Sequence, residues 1–247
     1  MKKIRLFLLL ITTSLIFLTR CEENEVPTAN FVTFESQQMD VTFEQGTAAT
    51  QEVKIYTANI TDQDRTFGVV VVGALTEVDA AAYIVPTTIT IPGGSNEATL
   101  TISLTDINMS PFATQALVIS LETSADMYTG NDLTMNVSLK CPNNGKKFKL
   151  ELGFDDWPEE VYWRLVDVNT AVIVAASQET PGYGAYAGMS RGEVTIQECI
   201  PSGDYQLQIF DYYRDGGTSY IITVDGVQVG SVAANAYGSS ATVDFSI

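Results

Sequence analysis

The chain has 247 residues, a formal net charge of −17 and no histidine. Without histidine there is no imidazole base near neutral pH, no His partner for a Ser or Cys nucleophile and no His-ligated metal centre; the acidic balance removes the basic footprint that nucleic acid requires, so no nucleic-acid partner is expected. Hydrophobic residues make up 45% and charged residues 17%, which excludes broad disorder and leaves material for one large or two ordinary domains.

Lys2, Lys3 and Arg5 precede an apolar run from Leu6 to Leu18. As a helix this run would reach about 20 Å, short of the ~30 Å hydrocarbon core of a bilayer, so residues 1–20 read as an export signal and not as a membrane span. Leu18-Thr19-Arg20-Cys21 follows, then Glu22-Glu23-Asn24-Glu25. This resembles a bacterial lipoprotein signal of the Bacteroidetes outer-membrane type, although Arg20 stands where that pattern carries a small residue. The resemblance implies lipidation of Cys21, an acidic tether over 21–28, and a protein held to the outer membrane at the cell surface by its lipid anchor. The alternative is a secreted protein whose Cys21 is paired or incidental.

From Ala29 onward period-two alternation replaces any helical spacing. In Ala98-Thr99-Leu100-Thr101-Ile102-Ser103-Leu104 every second residue after Ala98 is large and aliphatic while those between are small and polar, the pattern of a strand with one dry face and one wet face. Similar runs are Phe31–Glu35, Val41–Glu44, Glu52–Thr57, Phe67–Val72, Tyr83–Ile91, Leu117–Glu122 and Leu133–Leu139. Short strands separated by Gly, Pro, Asn and Asp predict an immunoglobulin-sized sandwich over 29–140. The stretch Val78–Pro86, then Ile89-Thr90-Ile91-Pro92-Gly93-Gly94-Ser95, then Leu100–Leu104 resembles a Calx-beta domain. Calcium-binding members of that family carry a dense acidic cluster after the Thr-rich strand; here that position reads Asp106-Ile107-Asn108-Met109-Ser110-Pro111. One carboxylate does not supply the six to eight oxygens that Ca2+ takes, so the resemblance implies the fold without the metal.

Cys141-Pro142-Asn143-Asn144-Gly145 cannot continue a strand and marks a boundary. Both tryptophans lie beyond it, so the core of the second half is built from different residues. Alternation resumes at Phe148–Phe154 and recurs at Val161–Val166, Ala171–Ala175, Val194–Glu198, Tyr205–Phe210, Tyr220–Val224, Val227–Val232 and Ala241–Phe245. Asp225-Gly226, between two of these runs, is a type I′ hairpin signal. Glu160-Val161-Tyr162-Trp163-Arg164-Leu165-Val166-Asp167, the Cys199–Asp211 segment and Asp215-Gly216 resemble an accessory β-sandwich module of secreted Bacteroidetes proteins. The fold class expected is therefore all-β: two consecutive β-sandwich domains, the first immunoglobulin/Calx-beta-like over 29–140 and the second jelly-roll-like over 141–247.

Three clusters could carry chemistry. Gly188-Met189-Ser190-Arg191-Gly192 matches G-x-S-x-G, but no helix follows it and no histidine exists, so it reads as chance. Asp155-Asp156 and Glu159-Glu160 would be the acids of a carboxylate-dependent glycoside hydrolase, or else a solvated turn. Asp211 and Asp215, in Asp211-Tyr212-Tyr213-Arg214-Asp215-Gly216-Gly217, would form an extracellular Ca2+ site together with Asp155 or Asp156; the bland reading is an Asp-Gly turn whose carboxylates accept backbone N–H groups. No other cofactor is expected. Trp157, Tyr183, Tyr186, Tyr212 and Tyr213 are candidates for a surface that stacks against sugar rings, with core packing as the alternative.

With Cys21 taken by lipid, export predicts a disulfide between Cys141 and Cys199; two buried thiols are the alternative. The function expected is binding or structural, with the sandwiches presented to another envelope protein or a glycan and no catalytic residue. A small carboxylate-dependent hydrolase acting on extracellular glycan is the competing reading.

Overall fold

The computed structural model describes residues 30–122 and 126–247. The export signal, Cys21 and the acidic tether lie outside the described residues. Within them no helix is long and apolar enough to cross a membrane.

Among the described residues, ten strands precede Cys141: β1 (Phe31–Phe34), β2 (Gln38–Glu44), β3 (Ala48–Thr57), β4 (Arg65–Val71), β5 (Tyr83–Ile84), β6 (Thr88–Ile91), β7 (Glu97–Thr105), β8 (Thr114–Leu121), β9 (Tyr128–Thr129) and β10 (Leu133–Lys140). They form two five-stranded sheets, ordered β5-β7-β3-β1-β9 and β2-β10-β8-β4-β6. Most neighbours are antiparallel; β1 with β9 and β2 with β10 are parallel. The alternation in β7 turns Leu100, Ile102 and Leu104 inward and leaves Thr99 and Thr101 exposed. Ile55, Ile119, Leu133 and Met135 meet them from other strands of the two sheets. At about 1.5–3 kcal/mol for each large aliphatic side chain removed from water, this dry layer is what holds the sheets face to face. The run Tyr83–Ile91 is not one strand: β5 and β6 belong to different sheets, and Pro86 between them has no N–H to offer a ladder. Asp106 accepts the Gly46 N–H at 2.8 Å and so serves a turn.

Eight strands follow: β11 (Lys146–Gly153), β12 (Val161–Asp167), β13 (Val172–Ala176), β14 (Glu193–Ile200), β15 (Asp204–Asp211), β16 (Ser219–Val224), β17 (Val227–Val232) and β18 (Ser240–Ser246). They make two four-stranded antiparallel sheets, ordered β14-β11-β16-β17 and β13-β12-β15-β18. The enclosed core is aromatic where that of the first half is aliphatic. Trp163, Tyr205, Tyr220 and Phe148 are its largest buried side chains, and Phe245 stacks on both Phe148 and Tyr205. Asp225 and Gly226 both have positive φ, as a type I′ turn between β16 and β17 demands.

Cys141 and Cys199 form a disulfide, with Cα atoms 5.5 Å apart. Ladder pairing explains the approach: Cys199 stands opposite Lys147 on β11, and Cys141 lies just upstream of that strand. At the junction between the halves, the Asn143 N–H donates to the Glu44 carboxylate at 2.6 Å and the Gln45 N–H donates to the Lys140 carbonyl at 3.0 Å.

Candidate functional site

The pairing of β12 with β15 builds the site. Along β15 the inward positions are Tyr205, Leu207, Ile209 and then Asp211, so the alternation that fills the core delivers a carboxylate to its end. Asp211 stands opposite Val161. The ladder runs one step further, because the Tyr212 N–H donates to the Glu160 carbonyl at 3.0 Å. Glu160 closes a 3-10 turn, Pro158–Glu160, which Pro158 starts with its fixed φ. Glu160 and Asp211 are thereby buried side by side although fifty residues separate them in the chain.

Asp215 completes the group. Asp211 Oδ1 accepts the backbone N–H groups of Arg214 and Asp215, which folds the loop back on itself. Arg214 and Gly216 take positive φ to allow it. One carboxylate oxygen from each of Glu160, Asp211 and Asp215 lies within 4.8 Å of the others. None of the ion pairs among the described residues reaches these three. Burial, followed by the charges of Asp211, Asp215 and Asp155, pushes the Glu160 carboxyl up to about 7. Tyr220 and Tyr237 stand above the ordinary tyrosine range, first through burial; the charge of Asp211 is among the smaller causes for both.

Asp155 and Asp156 part company. The Asp155 charge is felt at Glu160, and its Oδ1 accepts the Trp157 N–H at 2.9 Å. Asp156 is turned away from the acidic group: Arg191 grips it through Nε at 2.7 Å and Nη2 at 3.0 Å, and Ser190 adds a hydroxyl at 3.3 Å. Here the structure corrects the expected ligand set, because an exposed guanidinium has claimed the Asp156 carboxylate. Ser190, the serine of the G-x-S-x-G match, is a donor to that carboxylate.

The aromatic candidates divide in the same way. Trp157, Tyr183, Tyr212 and Tyr213 are exposed. Tyr183 and Tyr213 each meet Tyr212 edge to face at 5.1 Å, giving a continuous ridge of three rings. Trp157 and Tyr213, with Glu159, Glu160 and Asp215, line an open cleft of about 440 Å³. Tyr186 is the correction: it is 9% exposed, packs on Phe154 at 4.8 Å, and its hydroxyl accepts the Trp163 indole N–H at 2.8 Å. It is a core residue, held inward because a buried indole N–H needs a partner.

The residue that sequence reasoning left out of the acidic group is Glu160. In the sequence it stands in the Glu159-Glu160 pair and opens the Glu160–Asp167 segment, and neither place reveals a contact that the β12–β15 register creates.

No protein-family model matches the chain, and no curated protein matches it. Solved structures do resemble it. One is a multidomain protein from Bacteroides ovatus, 14% identical, with 86% of this chain and 94% of that chain covered and a TM-score of 0.41. Another is an auxiliary nutrient binding protein from Bacteroides thetaiotaomicron, 9% identical over 85% and 91% of the two chains, with a TM-score of 0.38. A third is CBD12 from CALX1.2, 12% identical over 73% and 79%, with a TM-score of 0.37. At these values the likenesses carry no residue role or ligand to this chain, whose all-β architecture stands on its own ladders.

Proposed function

We propose that this protein is a lipid-anchored binding protein of the cell envelope that captures glycan at the Trp157–Tyr213 cleft. The observation that carries the reading is the cleft itself: exposed aromatic faces beside carboxylates, on loops fixed by a rigid sandwich. Sugar rings present apolar C–H faces that pack on indole and phenol rings, and hydroxyls that donate to carboxylates. The Tyr183-Tyr212-Tyr213 ridge extends the same chemistry along the surface, which suits an extended chain better than a single sugar.

Binding is favoured over hydrolysis by the lining of the cleft. A glycosidase presents two carboxyl groups to the sugar across a cleft; here the exposed Trp157 and Tyr213 rings line the cleft, and Asp211, tied to its own loop by the Arg214 and Asp215 N–H groups, does not. The lipid anchor at Cys21 would keep the module at the outer membrane; replacing Cys21 by Ala should then move the protein from membranes to the soluble fraction.

The test of the binding reading is retention on immobilised polysaccharides, with Trp157→Ala and Tyr213→Ala as variants. Both side chains are exposed, so folding should survive. Retention of the wild type and its loss in both variants supports the reading. Equal retention in all three overturns it, as does turnover of the bound glycan.

A further inference from the structure

We propose that Glu160, Asp211 and Asp215 hold a hard divalent cation, Ca2+, at the floor of the cleft. The proposal stands on the geometry of these three residues and does not depend on which ligand the cleft takes.

Clustered acids alone would not justify a site, since solvated carboxylates tolerate one another. Two of these three are largely withdrawn from water. Glu160 is 7% exposed and Asp211 4%, and no N–H or O–H among the described residues donates to the Glu160 carboxylate. A carboxylate this far withdrawn from water and without a donor is costly, because most of its hydration is lost and no hydrogen bond replaces it. Such a group is rare in a folded protein unless a cation or a shared proton compensates it. The fully buried Tyr220 hydroxyl, which feels the Asp211 charge, makes no hydrogen bond of standard geometry.

The donor set selects the ion. All the ligand atoms are oxygens; the chain has no histidine, and Cys141 and Cys199 are joined to each other. Thiolate- and imidazole-seeking metals are therefore disfavoured and hard cations favoured. Ca2+ takes six to eight oxygens in a flexible geometry, which suits carboxylates brought together by two loops at an open cleft. Mg2+ demands a strict octahedron and dehydrates reluctantly, so it is less suited to such a site. Backbone carbonyls or water would complete the shell.

Charge compensation gives the readout. A cation offsets the repulsion among the three carboxylates and stabilises the folded state by mass action. On purified protein stripped by chelator, Ca2+ should titrate as a single saturable site. It should also raise the melting temperature by about 5 °C or more once it stands a hundredfold above its dissociation constant. Glu160→Gln and Asp215→Asn should each weaken Ca2+ binding at least about tenfold; the first is isosteric and the second is exposed, so both should fold.

Identical melts in excess chelator and excess Ca2+ would overturn the site. So would wild-type Ca2+ affinity in both variants. A third outcome also overturns it: if Glu160→Gln melts higher than wild type in chelator and Ca2+ moves neither protein, the group is a proton-sharing carboxyl cluster. No glycan enters the measurement, so its failure and the failure of the binding reading are separable.

Discussion

The indole N–H of Trp163 donates to the hydroxyl of Tyr186 at 2.8 Å inside the second core. Trp163 comes from β12, while Tyr186 comes from the loop between β13 and β14, so this buried hydrogen bond joins the middle of that long loop to the sheet, beside the backbone bonds that hold its ends. Burial raises the Tyr186 phenol above its ordinary range, the bond to Trp163 working weakly against it.

Tyr186→Phe keeps the ring against Phe154 but strands the buried indole donor. The expected cost is about 1–3 kcal/mol in urea unfolding, the price of an unsatisfied buried donor. Retention on glycan should change little, because the loop that carries Tyr183 is also held by the Gly184 N–H on the Glu159 carbonyl at 2.8 Å and by the Arg191 N–H on the Asp155 carbonyl. A neutral Tyr186→Phe would mean that the indole finds another partner.

The disulfide gives a second expectation. It closes a separation of 58 residues, for which chain entropy predicts a stabilisation of about 4 kcal/mol. That is a large part of the ~5–15 kcal/mol typical of a domain. Cys141→Ala with Cys199→Ala, or reduction of the wild type, should therefore lower the melting temperature of the second sandwich, and reductant should have no effect on the double variant. Equal melts with and without reductant in the wild type would show that the bridge contributes nothing.

Much of this fold was legible because alternation is a physical requirement of a half-buried strand. Leu100, Ile102 and Leu104 announce β7, and Tyr205, Leu207 and Ile209 announce β15. The two-residue strand β9 is too short to show a period, and Tyr83–Ile91 reads as one strand because alternation alone does not report a change of sheet. In the site, Asp211 and Asp215 were legible through the Asp-Gly loop. Glu160 was not, because its contact with Asp211 depends on the β12–β15 register, which local sequence does not contain. Tyr186 was misassigned for a related reason: nothing in a Gly- and Tyr-rich loop distinguishes the one ring that a distant indole draws inward.

Asp225 supplies a prediction in pH. The backbone N–H of Lys147 donates to its carboxylate at 3.0 Å, and Lys146 lies at 3.2 Å. The Lys147 N–H first, and then Lys146, hold the Asp225 carboxyl below its ordinary 3.8. A carboxyl depressed in the folded state contributes stability that is present above its unfolded value and is lost as pH falls through the folded one. Asn at this position keeps the turn but loses the charge. Asp225→Asn should be less stable than wild type near neutral pH by no more than about 1 kcal/mol, since the ion pair is half exposed and screened. The difference should close in strong acid. A gap independent of pH in urea unfolding would remove the charge from the explanation.

Gly217 ties the loop of the acidic group to the loop that carries Trp157. A Cβ built on Gly217 would fall 1.8 Å from Asp155 Oδ2 and 2.4 Å from its Cγ, so any side chain there must expel the carboxylate. Asp155 is not free to leave cheaply. Its Oδ1 accepts the Trp157 N–H at 2.9 Å, and its carbonyl accepts the Arg191 N–H at 2.6 Å. Gly217→Ala should therefore cost about 1–3 kcal/mol, the usual penalty of overpacking, and should weaken glycan retention by unfixing Trp157. Gly73→Ala is the control: a Cβ there meets nothing within 4 Å, and loss of backbone entropy from the unfolded chain should leave it neutral or stabilised by up to about 1 kcal/mol. Combining Gly217→Ala with Asp155→Ala removes the clash together with the Asp155 anchor. The pair should then cost less than the sum of its members, a coupling of about 0.5–3 kcal/mol. Strict additivity, or a Gly217→Ala protein as stable as Gly73→Ala, would show that the two loops do not press on one another at this point.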